Sequence, residues 1–128
     1  MMNEKPIAIS FFTGAGGLDM GFEQAGFDIR LCVEIEKTYC STLIKNNPTW
    51  NVKCADIQDY NKKRIYKEAG LKENQEISVI IGGSPCQSFS TAGNRKAFED
   101  PRGRAMIKYA KIIQEVQPKV FVLENVRG

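Results

Sequence analysis

The sequence contains no histidine, and this absence excludes several kinds of active site. A serine or cysteine nucleophile that relies on an imidazole base cannot be built without one. The four cysteines, Cys32, Cys40, Cys54 and Cys86, form no C-x-x-C pair, so we expect no metal site. Any catalysis must therefore rest on cysteine, carboxylates, arginine, lysine or backbone dipoles.

Long apolar runs and a large excess of one charge are also missing. No apolar run approaches the ~20 residues of a membrane span. The apolar stretch that follows "MMNEKP" is too short for a signal peptide, so we expect a cytoplasmic protein without disulfides. The net charge of +3 permits a nucleic-acid partner without arguing for one. The length of 128 residues suits one domain.

Apolar runs typical of buried strands alternate with helical patterns along the chain. The predicted strands are 7–12, 29–35, 51–57, 77–83 and 119–125, and the predicted helices are 18–26, 36–47, 61–70 and 105–117. This alternation predicts an α/β fold, a doubly wound and mostly parallel sheet with helices on both faces. Right-handed crossovers put the first strand in the middle of such a Rossmann-like sheet.

Two of the predicted helices carry apolar residues at helical spacing. In the second helix we expect Cys40, Leu43 and Ile44 to share one side. In the last helix the buried face is predicted to hold Met106, Tyr109, Ala110, Ile113 and Val116. These faces would pack the helices onto the sheet.

Chemically useful side chains come where the predicted strands end. Ligands of doubly wound sheets bind outside the carboxyl ends of the strands. The strand ends carry Phe12 with a glycine turn, Glu34 with Glu36, Asp56, Pro85 with Cys86, and Glu124 with Asn125. A thiol and several carboxylates therefore converge on one edge, which core packing alone does not predict.

The first three strand ends indicate an adenosyl ligand without phosphates. "FFTGAGGLDMGF" is not G-x-G-x-x-G, because Asp19 takes the third glycine position. The turn is either a simple strand-to-helix connection or a close approach to a ligand. Glu34 can accept both hydroxyls of a ribose, and Asp56 can meet an adenine edge. The alternative for each acid is a cap on the next helix.

Cys86 differs from the other cysteines because Gly-Gly-Ser-Pro takes it out of the fourth strand and into a turn. A thiolate is an intrinsically strong nucleophile, whereas Cys32, Cys40 and Cys54 read as packing or helix-surface residues. Glu124 ends an apolar strand, and its burial would favour the protonated form of a general acid. The alternative is an acid that caps a turn. The loop from Gln87 to Gly103 is long enough for a lid or a phosphate-binding loop, or it is a solvated connection.

Five motifs resemble, in order, those of the cytosine-5 DNA methyltransferase family. They are "FFTGAGG", "VEIE", "ADI", "GGSPCQSFSTAG" and "ENVRG". The resemblance implies a Rossmann-like fold that binds S-adenosylmethionine. The implied cofactor residues are Phe12, Gly14, Gly16, Gly17, Leu18, Glu34, Ile35, Asp56, Ile57 and Pro85. It implies that Cys86 attacks carbon 6 of a flipped cytosine, that Glu124 holds or protonates nitrogen 3, and that Asn125 supports Glu124. The implied DNA contacts are Gln87, Ser88, Ser90, Arg95 and Lys96.

The chain departs from the family pattern in two ways. The first motif often carries an acid where this chain has Ser10, a change that we expect to be tolerated. The chain also stops after "ENVRG", before the family's Arg-x-Arg motif, target-recognition region and last cofactor-binding segment. We therefore expect residues 1–128 to be the amino-terminal portion of a catalytic domain, incomplete at the carboxyl end and inactive alone.

Other functions remain open at this stage. A relative with similar motifs methylates cytosine in transfer RNA, and turnover on DNA or RNA would separate the two. A non-catalytic module that binds S-adenosylmethionine or a partner chain would show binding without covalent trapping. The expected partners of the enzyme are double-stranded DNA and the missing carboxyl-terminal half. In a prokaryotic cell, the enzyme is expected at the nucleoid. A restriction–modification role is also expected, with no membrane partner.

Overall fold

Five parallel strands form one sheet in the computed structural model, which describes residues 4–83 and 100–124. The strands are β1 (Ile7–Phe11), β2 (Asp28–Glu34), β3 (Val52–Cys54), β4 (Val79–Gly82) and β5 (Val120–Leu123). Their order across the sheet is β3-β2-β1-β4-β5, so β1 lies in the middle as the sequence predicted. The α/β, Rossmann-like fold class is thereby confirmed.

Four α-helices connect these strands within the described residues. They are α1 (Gly17–Gln24), α2 (Lys37–Asn46), α3 (Lys62–Glu68) and α4 (Pro101–Val116), and a 3-10 turn spans Ile57–Asp59. The predicted boundary of the loop at Gly103 is wrong, because α4 begins at Pro101. Proline suits the first position of a helix, where its missing N–H is not needed. Within the described ranges, no helix combines the length and apolarity that a membrane crossing requires.

Alternate side chains of β1 belong to two separate hydrophobic clusters. Ile7, Ile9 and Phe11 face the cluster that also contains side chains of α3 and α4. Ala8 faces the other cluster, which packs against Leu43 and against partly buried residues of α1. Successive residues of a strand point to opposite faces, so helices cover both faces of the sheet as predicted.

The helix faces correct two details of the prediction. In α2, Cys40 and Leu43 are buried but Ile44 is 53% exposed, so Ile44 does not share their side. In α4, the buried apolar side chains are those of Tyr109, Ile112 and Val116, while Ala110 is exposed and Met106 and Ile113 are partly buried. The helix is therefore rotated so that Ile112, rather than Ala110, meets the sheet.

Candidate functional site

A cavity of about 710 Å³ opens at the carboxyl edge of the sheet. Its volume suits a ligand of nucleoside size. It is lined by the turn after β1, by the residues that follow β2 and β3, by the first turn of α4, and by Gly83 and Glu124. Of the predicted cofactor residues, those in the described part all line it: Phe12, Gly14, Gly16, Gly17, Leu18, Glu34, Ile35, Asp56 and Ile57.

The turn after β1 has the backbone of a glycine-dependent loop. Its φ angles are 53° at Phe12, 60° at Gly14 and 90° at Gly16. A Cβ atom on Gly16 would lie 2.8 Å from Leu43 Cδ2, so packing as well as conformation requires glycine there. A Cβ on Gly14 or Gly17 would meet nothing within 4 Å. The turn is therefore open on the side where a ligand could approach its backbone.

Glu34 connects that turn to the end of β2. Its side chain is buried, and Oε1 accepts a hydrogen bond from the Gly14 amide at 2.7 Å. Oε2 accepts the Glu36 amide at 2.8 Å. Each carboxylate oxygen has a further lone pair, so Glu34 keeps the capacity to accept hydroxyl groups from the cavity. The amides fix the carboxylate in place before any ligand binds.

The predicted cofactor residues Ile35, Ile57 and Asp56 differ in exposure and in hydrogen bonding. Ile35 lines the cavity with 57% of its surface exposed, which leaves an apolar face for a flat ring. Ile57 also lines the cavity but is buried. Asp56 lines the cavity, but its Oδ1 also accepts the Gln58 amide at 2.9 Å. The capping role considered for Asp56 is therefore present, and its other oxygen can still take a ligand contact.

A family profile described as C-5 cytosine-specific DNA methylase matches residues 7–128. The chain belongs to this family. Its order of motifs and its cavity at the strand ends now have a common explanation, because a match of this length spans both the glycine turn and the last strand. The resemblance inferred from five short motifs is confirmed.

The chain also resembles Type II methyltransferases that are longer than it is. Type II methyltransferase M.AquIA of Picosynechococcus sp. is 44% identical over 120 residues, which are 94% of this chain and 48% of the relative. Type II methyltransferase M.XorII of Xanthomonas oryzae pv. oryzae is 40% identical over 97% of this chain and 29% of its own length. The chain therefore spans less than half the length of these relatives.

A solved methylase structure supports the fold. A prophage-encoded protein of Escherichia coli, assigned as a DNA modification methyltransferase, superposes with a TM-score of 0.79 at 32% identity. The match covers 96% of this chain and 32% of that chain. The sheet described above is thus the same fold as about a third of that protein.

Several residues that line the cavity of this methylase chain were not predicted from the sequence, among them Tyr39, Gln58 and Arg104. Tyr39 lines the cavity from α2 and is 47% exposed, Gln58 follows Asp56, and Arg104 lies in the first turn of α4. Tyr39 and Gln58 come within four residues of predicted site residues. Arg104 was placed beyond the loop, and only the recognition of Pro101 as a helix start could have brought it to the strand ends.

Glu124 lines the same cavity, yet its side chain is exposed rather than buried as predicted. The reason lies in β5, whose Val120 and Phe121 are each 56% exposed although they are apolar. The other predicted catalytic and DNA-binding residues lie outside the described residues; they are Pro85, Cys86, Gln87, Ser88, Ser90, Arg95, Lys96 and Asn125.

Three cysteines of the described part do not line the cavity. Cys32 and Cys40 are buried and Cys54 is exposed. Burial raises the pKa of Cys40 to about 12 and that of Cys32 still higher, which keeps both as neutral thiols. Their expected structural role agrees with this environment.

Proposed function

We propose that the chain is the amino-terminal part of a DNA cytosine-5 methyltransferase and that it binds S-adenosylmethionine. The observation that carries this proposal is the cavity at the strand ends. Its lining includes the described residues of the first three motifs, and the Gly14 amide already holds Glu34 at 2.7 Å. An adenosyl ligand needs such a fixed acceptor for its ribose hydroxyls.

The cavity residues divide the recognition of the cofactor among them. The backbone of Gly14 and Gly17 approaches it closely, because no side chain stands in the way. Glu34 accepts the ribose hydroxyls, and Ile35 packs on the adenine ring. Asp56 accepts the amino group at the ring edge with the carboxylate oxygen that does not cap Gln58.

The chemical step is assigned to Cys86, Glu124 and Asn125. The Cys86 thiolate adds to carbon 6 of the cytosine while Glu124 donates a proton to nitrogen 3, so that carbon 5 becomes nucleophilic. The bound cofactor supplies an electrophilic methyl group to carbon 5. Loss of the carbon 5 proton to a base then expels the thiolate. Asn125 orients Glu124 during these steps.

The DNA substrate follows from the same chemistry. Carbon 5 and carbon 6 are not accessible inside a duplex, so the cytosine must be flipped out. We assign Gln87, Ser88, Ser90, Arg95 and Lys96 to contacts with the flipped nucleotide and the backbone. Target recognition and the rest of the active site belong to a carboxyl-terminal part, since the matches cover only 48% and 29% of the two relatives. We also infer a restriction–modification role at the nucleoid, because those relatives are Type II methyltransferases.

The experiment is covalent trapping on duplex DNA that contains 5-fluorocytosine. The fluorine cannot leave as a proton does, so a nucleophile that has added to carbon 6 stays attached. The chain is mixed with S-adenosylmethionine and this DNA, alone and together with a co-expressed carboxyl-terminal part of a homologous methyltransferase. We expect an adduct in the second mixture only.

Variants and a second substrate make the assignment specific. Cys86→Ala should abolish the adduct, whereas Cys54→Ala, which removes an exposed thiol elsewhere, should leave it unchanged. An adduct with 5-fluorocytosine RNA but not with DNA would support the transfer RNA alternative, which the family match does not favour. Cofactor binding without any adduct in either mixture would reject the catalytic proposal and leave a binding module.

A further inference from the structure

Helix α1 buries a carboxylate. Asp19 is 1% exposed and is the one residue of α1 that is fully buried, while the apolar Leu18 and Phe22 are only partly buried. A buried carboxylate is costly unless hydrogen bonds compensate for lost water. Packing of an amphipathic helix would instead place an apolar residue there, so the position of Asp19 calls for a polar role.

The partners of Asp19 are two residues paired across the middle of the sheet. Ser10 of β1 and Cys32 of β2 are register partners, so their side chains lie next to each other on one face. The Cys32 thiol donates to Asp19 Oδ2 at 3.9 Å. Hydrogen bonding by the Ser10 side chain lowers the pKa of Asp19, in opposition to the larger effect of burial.

A hydrogen bond between Ser10 and Thr13 connects Asp19 to the turn at the cavity. Its hydroxyl oxygen lies 3.0 Å from Thr13 Oγ1, and both side chains are buried. Thr13 Oγ1 also donates to the carbonyl of Val33 at 3.5 Å, and the Thr13 carbonyl accepts the Gly16 amide at 3.0 Å. A continuous polar path therefore runs from Asp19 through Ser10 and Thr13 to the glycine turn.

The two hydroxyl groups of this path carry one proton each. The protonation state of Asp19 therefore fixes which group donates in each hydrogen bond. An ionised carboxylate only accepts, so Ser10 must donate to it, and Ser10 is then free to accept from Thr13. A protonated carboxyl can donate to Ser10. Ser10 then donates to Thr13, whose own proton is left for the Val33 carbonyl.

We propose that Asp19 is a positioning residue, whose carboxyl group orients Ser10 and Thr13 and thereby holds the glycine turn in the shape that receives the cofactor. The use of the turn for the cofactor rests on the proposed function, whereas the control of the turn by Asp19 does not. The geometry also makes the turn sensitive to a single proton. The pKa of Asp19 is raised to about 6 by burial, so this proton is exchanged close to neutral pH.

The charged and titratable groups around Asp19 are few in the described part of the chain. Cys32 faces it from β2 and stays a neutral thiol, because burial and the Asp19 carboxylate both raise its pKa. Glu23, one helical turn further along α1, also acts on Cys32, and its Oε2 accepts the Trp50 indole N–H at 2.8 Å. The other influences on the pKa of Asp19 are its own amide and Ser10.

The first test uses the chain without ligand. Hydrogen-exchange protection of the Gly14 and Gly16 amides is measured by NMR in the wild type, Asp19→Ala and Asp19→Asn, with the Leu71 amide as a reference far from the turn. We expect protection at Gly14 and Gly16 to fall ~10-fold in Asp19→Ala and to stay unchanged at Leu71. Between about pH 5 and about pH 7 (about one unit either side of the Asp19 pKa), protection should change in the wild type but not in Asp19→Asn.

The second test measures S-adenosylhomocysteine affinity by calorimetry. Asp19→Ala should bind ~10-fold more weakly, and the exchange variant Ser10→Asp/Asp19→Ser should recover most of the loss because it restores one acid and one hydroxyl at the same contact. Glu76→Gln is the matched control, since Glu76 is exposed and forms a surface ion pair with Lys119 at 3.2 Å. Its affinity should equal that of the wild type.

The two tests separate the possible failures. Unchanged protection at Gly14 and Gly16 in both Asp19 variants would overturn the positioning role, whatever the affinity. A wild type that fails to bind S-adenosylhomocysteine would count against the cofactor proposal, and hydrogen exchange would still decide on Asp19. If Asp19→Ala does not fold, the isosteric Asp19→Asn decides through its pH profile, and a wild-type profile in that variant would reject the inference.

Discussion

The two edge strands of the sheet, β3 and β5, differ in length, charge and exposed apolar surface. At one edge, β3 is three residues long and exposes Lys53 and Cys54. At the other edge, β5 carries no charge between Val120 and Leu123 and exposes Val120 and Phe121 at 56% each. Short strands and lysine are the usual protection of a sheet edge against unwanted pairing. The β3 edge is therefore complete in itself, whereas the β5 edge has the character of a surface that is normally covered.

This difference matches the division of labour that we propose. On the β3 side of the cavity, hydrogen bonds within the chain already fix Glu34 and the glycine turn. On the β5 side, Glu124 reaches the cavity but is exposed. We infer that the part of the cofactor site around Glu34 and the glycine turn is organised within this chain, while the last cofactor-binding segment and the substrate side belong to the remainder of a longer enzyme.

The largest expected effect on stability is at Gly83, which lies between the β3 side and the β5 side of the cavity. A Cβ atom there would lie 2.2 Å from the Phe12 carbonyl oxygen, which belongs to the backbone and cannot easily move. Gly83→Ala should lower the free energy of unfolding by at least ~4 kcal/mol, measured by urea denaturation. Gly21→Ala is the control, because its Cβ would meet nothing within 4 Å. Alanine in a helix should stabilise there by ~0.5–1 kcal/mol, and equal losses in both variants would refute the steric account.

Glu34 tests whether the β3 side is organised in advance. Glu34→Gln replaces an acceptor by an amide N–H that faces the backbone amide of Gly14 or Glu36. We expect a loss of ~1–3 kcal/mol in stability and a ~10- to 100-fold weaker affinity for S-adenosylhomocysteine.

Glu115→Gln is the matched control for this variant. Glu115 also accepts a backbone amide, that of Lys62 at 2.8 Å, but it does not line the cavity. Its affinity for S-adenosylhomocysteine should equal that of the wild type. If both variants lose affinity equally, the preorganisation assigned to Glu34 is wrong.

The pH dependence of stability tests the buried carboxylate on the cofactor side. Burial raises the pKa of Asp19 from 3.8 to about 6, so the folded state holds the proton more tightly than the unfolded state. The free energy of unfolding should therefore fall as the pH rises from about 4 to about 6, by up to ~3 kcal/mol from this residue. Urea denaturation at several pH values should show this slope in the wild type and a smaller one in Asp19→Asn. Parallel curves for the two proteins would contradict it.

The smallest effect on stability is expected at the open edge. Phe121→Lys places a charge on an exposed position, so the free energy of unfolding should change by less than ~0.5 kcal/mol. Self-association, measured by sedimentation velocity, should decrease. The opposite change at the other edge, Lys53→Val, should increase it. Equal association of both variants would remove the distinction between the edges.

The sequence was most informative where local patterns and tertiary structure agree. Continuous apolar runs predicted the five strands and the central place of β1, because a parallel sheet covered on both faces demands such runs. Glu34 was predicted as a site residue from its place at a strand end, and the structure places it in the cavity lining. Strand ends were the least accurate, as with Phe12, whose φ of 53° takes it out of β1.

Other features depended on contacts between distant residues and could not be predicted. The acid at Asp19 has the pattern of an ordinary first-turn helix residue, and only its place behind Ser10 and Cys32 makes it buried. The phase of α4 was misjudged because Ala110 and Ile112 both fit an apolar stripe, and packing on the sheet selects Ile112. The burial expected for Glu124 failed because β5 is an outer strand.

The central position of β1 has a consequence for the order in which the chain can fold. Ala8 pairs with Ile29 on one side and with Val79 on the other, so its second neighbour is made much later during synthesis. Until β4 emerges from the ribosome, β1 presents an unpaired apolar edge to its surroundings. Non-local parallel pairing of this kind is slow and exposes chains to aggregation. Production of this protein should therefore respond to translation speed and chaperone supply.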